Sequence, residues 1–170
     1  LLQPLPLLWE DLTQKKMYVT GGIGNSSKNE GFTGPYDLPN DNAYAESCAS
    51  IGLALWAHRM TQLTGDSKYA DVFERVLYNG FLSSVSLDGE KFFYTNPLAD
   101  KGKARRPAWH ACACCPPNIA RFMPQLGGFA YSTAKIAGGP GLPTETIYVH
   151  HFLAGRGEID LFGKKVVVTQ

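Results

Sequence analysis

Two short clusters hold the side chains of this sequence best able to do chemistry: Glu46-Ser47-Cys48, and Cys112-Ala113-Cys114-Cys115 much later in the chain. Three thiolates, from Cys48, Cys114 and Cys115, with the carboxylate of Glu46, make a sound four-donor set for zinc. Spacing by itself leaves a second account open, in which Cys48 is a small buried hydrophobe and 112–115 a packed turn. Adjacent ligating cysteines are less usual than a C-x-x-C knuckle. Residues two apart on a helix do not share a face. Glu46 and Cys48 therefore reach one centre only from an irregular N-terminal turn, or if the glutamate reaches around the helix.

Other chemistries fall away on order and spacing. Nucleobase deamination needs a His or Cys before its glutamate and a P-C-x-x-C pair; here Glu46 precedes Cys48 and the later cysteines are contiguous. His58, His110, His150 and His151 contain no H-E-x-x-H pair, which excludes zinc proteases of that type. His150 and His151 alternate on an expected strand, one at the surface and one in the core. Gly22-Ile23-Gly24 lacks the third glycine of a dinucleotide loop and no G-K-[ST] follows it, so a tight turn is expected there. Asn25-Ser26-Ser27 matches a glycosylation acceptor, a very common chance match. Four cysteines, three of them crowded together, do not make a disulfide scaffold. They suit a metal or a reducing compartment, and a cytoplasmic location is expected.

The elements that must position these residues fall in three regions. Residues 1–41, rich in Gly, Pro, Asn and Ser, predict ordered loops around short elements. Residues 42–130 read mainly as helices. Asp41 or Asn42 caps a helix to about Leu63, stopped by Gly65, with Ala45, Cys48, Gly52, Leu55, Trp56 and Met60 as its buried stripe. A second helix runs over 67–78 and ends at Asn79-Gly80. Leu87-Asp88-Gly89-Glu90 predicts a hairpin-type turn into the aromatic strand Phe92-Phe93-Tyr94. Pro116-Pro117-Asn118 opens another helix, and Pro124 should kink it. Beyond a Gly- and Pro-rich linker at 138–143, the segments 146–152, 158–162 and 165–169 alternate like strands.

The sequence has 170 residues, 44% hydrophobic and 18% charged, which is a packing composition. Sixteen Lys and Arg against fifteen Asp and Glu leave a net charge of +1. That near-balance removes the main electrostatic reason to expect nucleic acid or an anionic membrane as partner. No apolar run approaches the ~18–20 residues of a membrane helix. Residues 1–10 carry two prolines and no basic region, a poor signal peptide. The chain opens on leucine, and its few strands cannot close a β domain alone. A portion of a longer polypeptide is expected, inactive by itself.

A family resemblance rests on motifs that occur in one order. They are Tyr18-Val19-Thr20-Gly21-Gly22-Ile23-Gly24, Glu30, Tyr36-Asp37-Leu38-Pro39-Asn40-Asp41, Ala43-Tyr44-Ala45-Glu46-Ser47-Cys48-Ala49-Ser50, Phe92-Phe93-Tyr94-Thr95-Asn96-Pro97 and Cys112-Ala113-Cys114-Cys115-Pro116-Pro117-Asn118-Ile119-Ala120-Arg121. Together, over most of residues 15–135, they resemble the β-L-arabinofuranosidases of glycoside hydrolase family 127. The resemblance implies a mainly α fold, the later part of an (α/α)6 barrel leading into a β-sandwich domain. It divides the chain into a partial catalytic barrel at 1–137 and a linker with first strands at 138–170.

Carried over residue by residue, the resemblance implies zinc on Glu46, Cys48, Cys114 and Cys115. It implies Cys114 as nucleophile, Glu30 as acid/base and Tyr94 as a sugar contact. Cys112 lies in the motif but is not a family ligand, and is expected to pack. The implied activity is retaining release of terminal β-L-arabinofuranose from an oligosaccharide or glycoconjugate. Two rivals remain: a structural zinc module without catalysis, and a redox-active cysteine protein. The structural module parts from the enzyme over Glu30, whose carboxyl group must face Cys114 in an enzyme and need not in a structural site. The redox protein needs a reversible disulfide, and zinc in the purified protein counts against it.

Overall fold

A computed structural model of the chain describes residues 2–137 and 143–170. It packs as two compact units, Leu1–Phe122 and Met123–Gln170. The first is helical. Helix α1 spans Pro4–Lys15, in a stretch expected to be loop. Its prolines lie in the first turn, where the missing N–H groups would have no helical partner anyway. Trp9 anchors it, packing edge-on against Trp56 at 5.1 Å and Tyr69 at 4.7 Å.

Helix α2, Ser47–Thr64, begins later than the sequence suggests and stops at Gly65, whose φ of 70° is the left-handed cap glycine accepts without strain. Its buried side is not the expected stripe. Leu55 and Gly52 are exposed, while Ser47, Ser50, Ala54, Ala57 and Thr61 face inward with Leu53 and Met60. Small side chains on this face let neighbouring backbone come close. A Cβ added at Gly80 would meet Ser50 Oγ at 3.1 Å. Gly80 is therefore a packing glycine and does not end a helix. Helix α3, Ser67–Arg75, is capped by Asp66 and then widens into a π turn over Val76–Phe81 and a 3-10 turn over Leu82–Ser84. Helix α4, Cys115–Phe122, carries Pro116 and Pro117 in its first turn, as expected. Pro124 ends the α-helix rather than kinking it. A 3-10 segment, Met123–Phe129, follows, because the residue before proline is pushed out of helical geometry.

The glycine cluster near residue 20 forms a tight turn. Tyr18 N–H donates to the Gly22 carbonyl at 2.9 Å, and Gly21 N–H to the Tyr18 carbonyl at 2.9 Å. Gly21 has φ 81°, and a Cβ there would meet Val76 Cγ2 at 2.9 Å and its backbone at 3.1 Å. Gly21→Ala is thus expected to destabilise the protein by roughly 2–4 kcal/mol, from left-handed strain plus overpacking. Gly34→Ala, where nothing lies within 4 Å, should change stability by under about 0.5 kcal/mol. Equal urea midpoints for the two variants would refute this account of the turn.

The second unit holds two antiparallel pairs. β1, Tyr131–Ala137, pairs with β2, Pro143–Val149; β3, Arg156–Leu161, pairs with β4, Lys164–Thr169. β1 was not foreseen. The expected boundary at 137/138 falls between two paired strands, and the compact units divide earlier, after Phe122. Residues 138–142 of the expected linker lie outside the described residues. Phe162 and Gly163, at φ 49° and 72°, form the two-residue turn of the β3–β4 hairpin, a type I′ shape that matches strand twist. His151 is buried as the core member of its pair. His150 is half-buried, shares a 2.7 Å hydrogen bond with Ser132 Oγ, and is held below the usual histidine range by burial.

Candidate metal centre and active site

The start of α2 is fixed from several directions. Ala45, at φ 37°, donates its N–H to the Gly24 carbonyl at 2.7 Å, and Glu46 follows as an extended N-cap. The 92–96 segment lies alongside. Ser47 donates through N–H to the Tyr94 carbonyl (2.9 Å) and through Oγ to the Phe93 carbonyl (2.7 Å), and Asn96 Nδ2 donates to the Ala45 carbonyl (2.9 Å). The irregular N-terminal turn that Glu46 and Cys48 require is therefore present. The aromatic strand is reduced to bridges at its two ends, Val85 with Phe92 and Glu46 with Thr95, beyond the turn at Gly89.

Helix α4 begins at Cys115, directly after Cys114, and brings both thiols to the same point. The ligating atoms of Glu46, Cys48, Cys114 and Cys115 all lie within 4.8 Å of one another. Cys48 Sγ is 3.4 Å from Cys115 Sγ, and Cys114 Sγ is 3.7 Å from Cys115 Sγ. Glu46 Oε1 is 3.3 Å from Cys114 Sγ and 3.6 Å from Cys115 Sγ. Donors bound at zinc distances around one tetrahedral centre stand about 3.3–3.8 Å apart. The donor types suit such an ion, and the four contacts just given fall in that range, within a cluster whose donors lie no more than 4.8 Å apart.

Electrostatics point the same way. Two helix N-termini, of α2 and α4, converge on the cluster, and their partial positive charge favours anionic ligands. Burial works against it, pushing the Cys48 thiol up to about 12 and the Cys115 thiol up as well. Asn118 Nδ2, donating to Cys48 Sγ at 3.0 Å, partly offsets the rise at Cys48. A divalent cation among the sulfurs is what would reverse the balance, since thiol ligands must shed protons to bind it.

Beside the cluster stands an exposed carboxylate. Glu30 projects from a tight turn at φ 50°, a conformation costing a non-glycine residue on the order of 1 kcal/mol. Tyr44 donates to its Oε1 at 2.8 Å and Tyr94 to the same oxygen at 3.2 Å. The Tyr94 hydroxyl also interacts with the Cys114 thiol. That contact, ahead of Tyr44 and burial, holds the phenol above its ordinary range. Burial and the Glu30 carboxylate raise Tyr44 to about 12. One phenol thus links Glu30 to Cys114, and two hydroxyls occupy one carboxylate oxygen.

All six residues singled out in the sequence come together in the first unit. Tyr94 is half-buried at this site. Cys112, expected to pack, is exposed and outside the cluster. Sequence reasoning assigned nothing to Tyr44, Asn118 or His110. His110 lies with its ring centroid 6.0 Å from that of Tyr94, and its Nε2 is buried without a hydrogen-bond partner among the described residues. The available signal was only that Tyr44 and Asn118 flank the two ligand runs.

Comparison with known proteins bears on the same residues. The family model described as β-L-arabinofuranosidase, GH127 catalytic domain, matches residues 1–128. The non-reducing end β-L-arabinofuranosidase of Bifidobacterium longum subsp. longum is 37% identical over 161 residues, which is 88% of this chain and 23% of that protein. Among solved structures, the GH127 β-L-arabinofuranosidase Ara127N-Se of Geobacillus stearothermophilus T6 superposes with a TM-score of 0.88 at 42% identity. That match covers 99% of this chain and 27% of the other. A second GH127 β-arabinofuranosidase gives 0.83 at 43% identity, over 94% and 24%. The chain spans about a quarter of the length of these relatives.

Proposed function

The chain belongs to the GH127 β-L-arabinofuranosidase family, and from that premise we propose that it carries the nucleophile and metal centre of a retaining glycoside hydrolase. Its substrate is a terminal β-L-arabinofuranose on a plant-type glycan. The observation that carries the reading is the link from Glu30 through the Tyr94 hydroxyl to Cys114, inside a four-donor cluster. A structural metal site has no use for an exposed carboxylate held beside one of its ligands. In architecture, the helical unit is read as later helices of an (α/α)6 barrel, with the strands beyond the linker opening a β-sandwich.

Glu46, Cys48, Cys114 and Cys115 would hold zinc, which suits three sulfur donors and one oxygen in tetrahedral array. Bound there, the ion would keep sulfur ionised at neutral pH and make it a better leaving group. Cys114 Sγ attacks the anomeric carbon while Glu30 gives its proton to the departing glycosidic oxygen. In the second step Glu30 takes a proton from water, water displaces the sulfur, and the thiolate returns. Two displacements retain the anomeric configuration. Tyr44 and Tyr94 hold one Glu30 oxygen, leaving the other to carry the proton. His110 Nε2 offers its unmatched polar atom to a sugar hydroxyl.

Elemental analysis of the reduced, full-length protein tests the centre directly. One zinc per chain is expected, with most of it lost in Cys48→Ser. A protein without zinc, or zinc content untouched by that substitution, would remove the ligand assignment.

A further inference from the structure

Asn118 stands three residues beyond Cys115 in the first turn of α4, with its N–H 3.3 Å from the Cys114 carbonyl. Its side chain points back across to α2, where Nδ2 donates to Cys48 Sγ at 3.0 Å. The other end of the amide is taken: Arg121 Nη2 donates to Asn118 Oδ1 at 2.6 Å. Only the NH2 end of an amide can donate to sulfur, and only its carbonyl end can accept from a guanidinium, which has no acceptor. Arg121 therefore sets which way the amide faces. The three side chains form a relay, Arg121 to Asn118 to Cys48, that ties the two ligand-bearing helix starts to each other.

We propose that Asn118 is a positioning residue of the metal centre, holding Cys48 Sγ in its place among the four donors, with Arg121 locking the amide in the donating orientation. The proposal rests on the reading of Glu46, Cys48, Cys114 and Cys115 as metal ligands. Hydrogen-bond partners of ligating groups fix their orientation, and losing one typically weakens metal affinity about 10–100-fold. The relay supplies such a partner to one of the four ligands, from the helix that bears two others.

The test is titration of the reduced protein with Co2+ and with Zn2+, using chelator competition for affinity and the sulfur-to-cobalt absorption band for geometry. Asn118→Ala should lose about 10–100-fold in affinity for both ions and alter the band. Asn118→Asp, matched in size but without the N–H, should lose at least as much, which a loss of packing does not explain. Arg121→Ala should show a smaller loss, and none beyond that of Asn118→Ala when the two are combined. Arg121 is exposed, so its variant keeps the test alive should Asn118→Ala fail to fold. A wild-type protein that binds neither ion defeats the ligand reading itself. Wild-type binding with unchanged affinity and band in Asn118→Asp and Arg121→Ala would leave that reading standing and overturn the relay.

Discussion

Cys114→Ser is expected to lower turnover of a β-L-arabinofuranoside by roughly 10^4-fold or more in the full-length protein, on the scale seen when a covalent nucleophile is removed. A serine hydroxyl is not ionised at neutral pH, and it is a poorer ligand for a soft-donor site than the thiolate it replaces. Loss of metal and loss of nucleophile must therefore be separated. Cys115→Ser provides the comparison, because Cys115 is wholly buried and belongs to the same cluster. Excess zinc should restore part of the turnover of Cys115→Ser and essentially none of that of Cys114→Ser. An electrophilic arabinofuranose analogue should label Cys114, identified by peptide mass, and the product should keep its anomeric configuration. Label on a carboxylate, or inversion at the anomeric carbon, would transfer the nucleophile's role elsewhere.

The four residues that cluster, and that could hold a metal, were legible in the sequence because their chemistry is carried by residue type. Three cysteines and a glutamate narrow the choice of metal before any fold is known. What spacing could not supply was the geometry at Glu46. The helical pattern running back through Ala45 suggested a start near Asp41, yet Ala45 at φ 37° and the bonds from Ser47 to Phe93 and Tyr94 break the helix there. Those contacts join residues more than forty positions apart, and no local propensity records them. The same limit applies to α1. The composition of residues 1–41 pointed to loops around short elements, whereas Trp9 packed on Trp56 and Tyr69 supports a twelve-residue helix.

Gly80 was misread for a related reason. Asn-Gly is a stop signal in isolation, but the missing side chain here serves a close approach to Ser50. Gly65 and Gly89 were readable, since each meets a local demand for positive φ. The roles of Tyr44 and Asn118 depend on which side chains face one another, so they emerge only once α2, α4 and the Glu30 turn are placed in space.

Glu30→Gln should leave zinc content unchanged while slowing hydrolysis by an amount that depends on the leaving group. Glu30 is not among the donors, and its contacts are the hydroxyls of Tyr44 and Tyr94, both able to serve an amide oxygen as well as a carboxylate. The carboxamide cannot give up a proton. Substrates whose aglycone is a poor leaving group should lose about 10²–10⁴-fold in the first step, the usual span for a positioned general acid. An activated aryl arabinofuranoside, needing little protonation, should still transfer its sugar to Cys114. Its second step then lacks a base. A burst of released phenol approaching one equivalent per site should precede a slow steady rate, with the sugar retained on Cys114. A loss independent of leaving group, or zinc released by the substitution, would assign Glu30 to the architecture of the site and reopen the search for the acid/base.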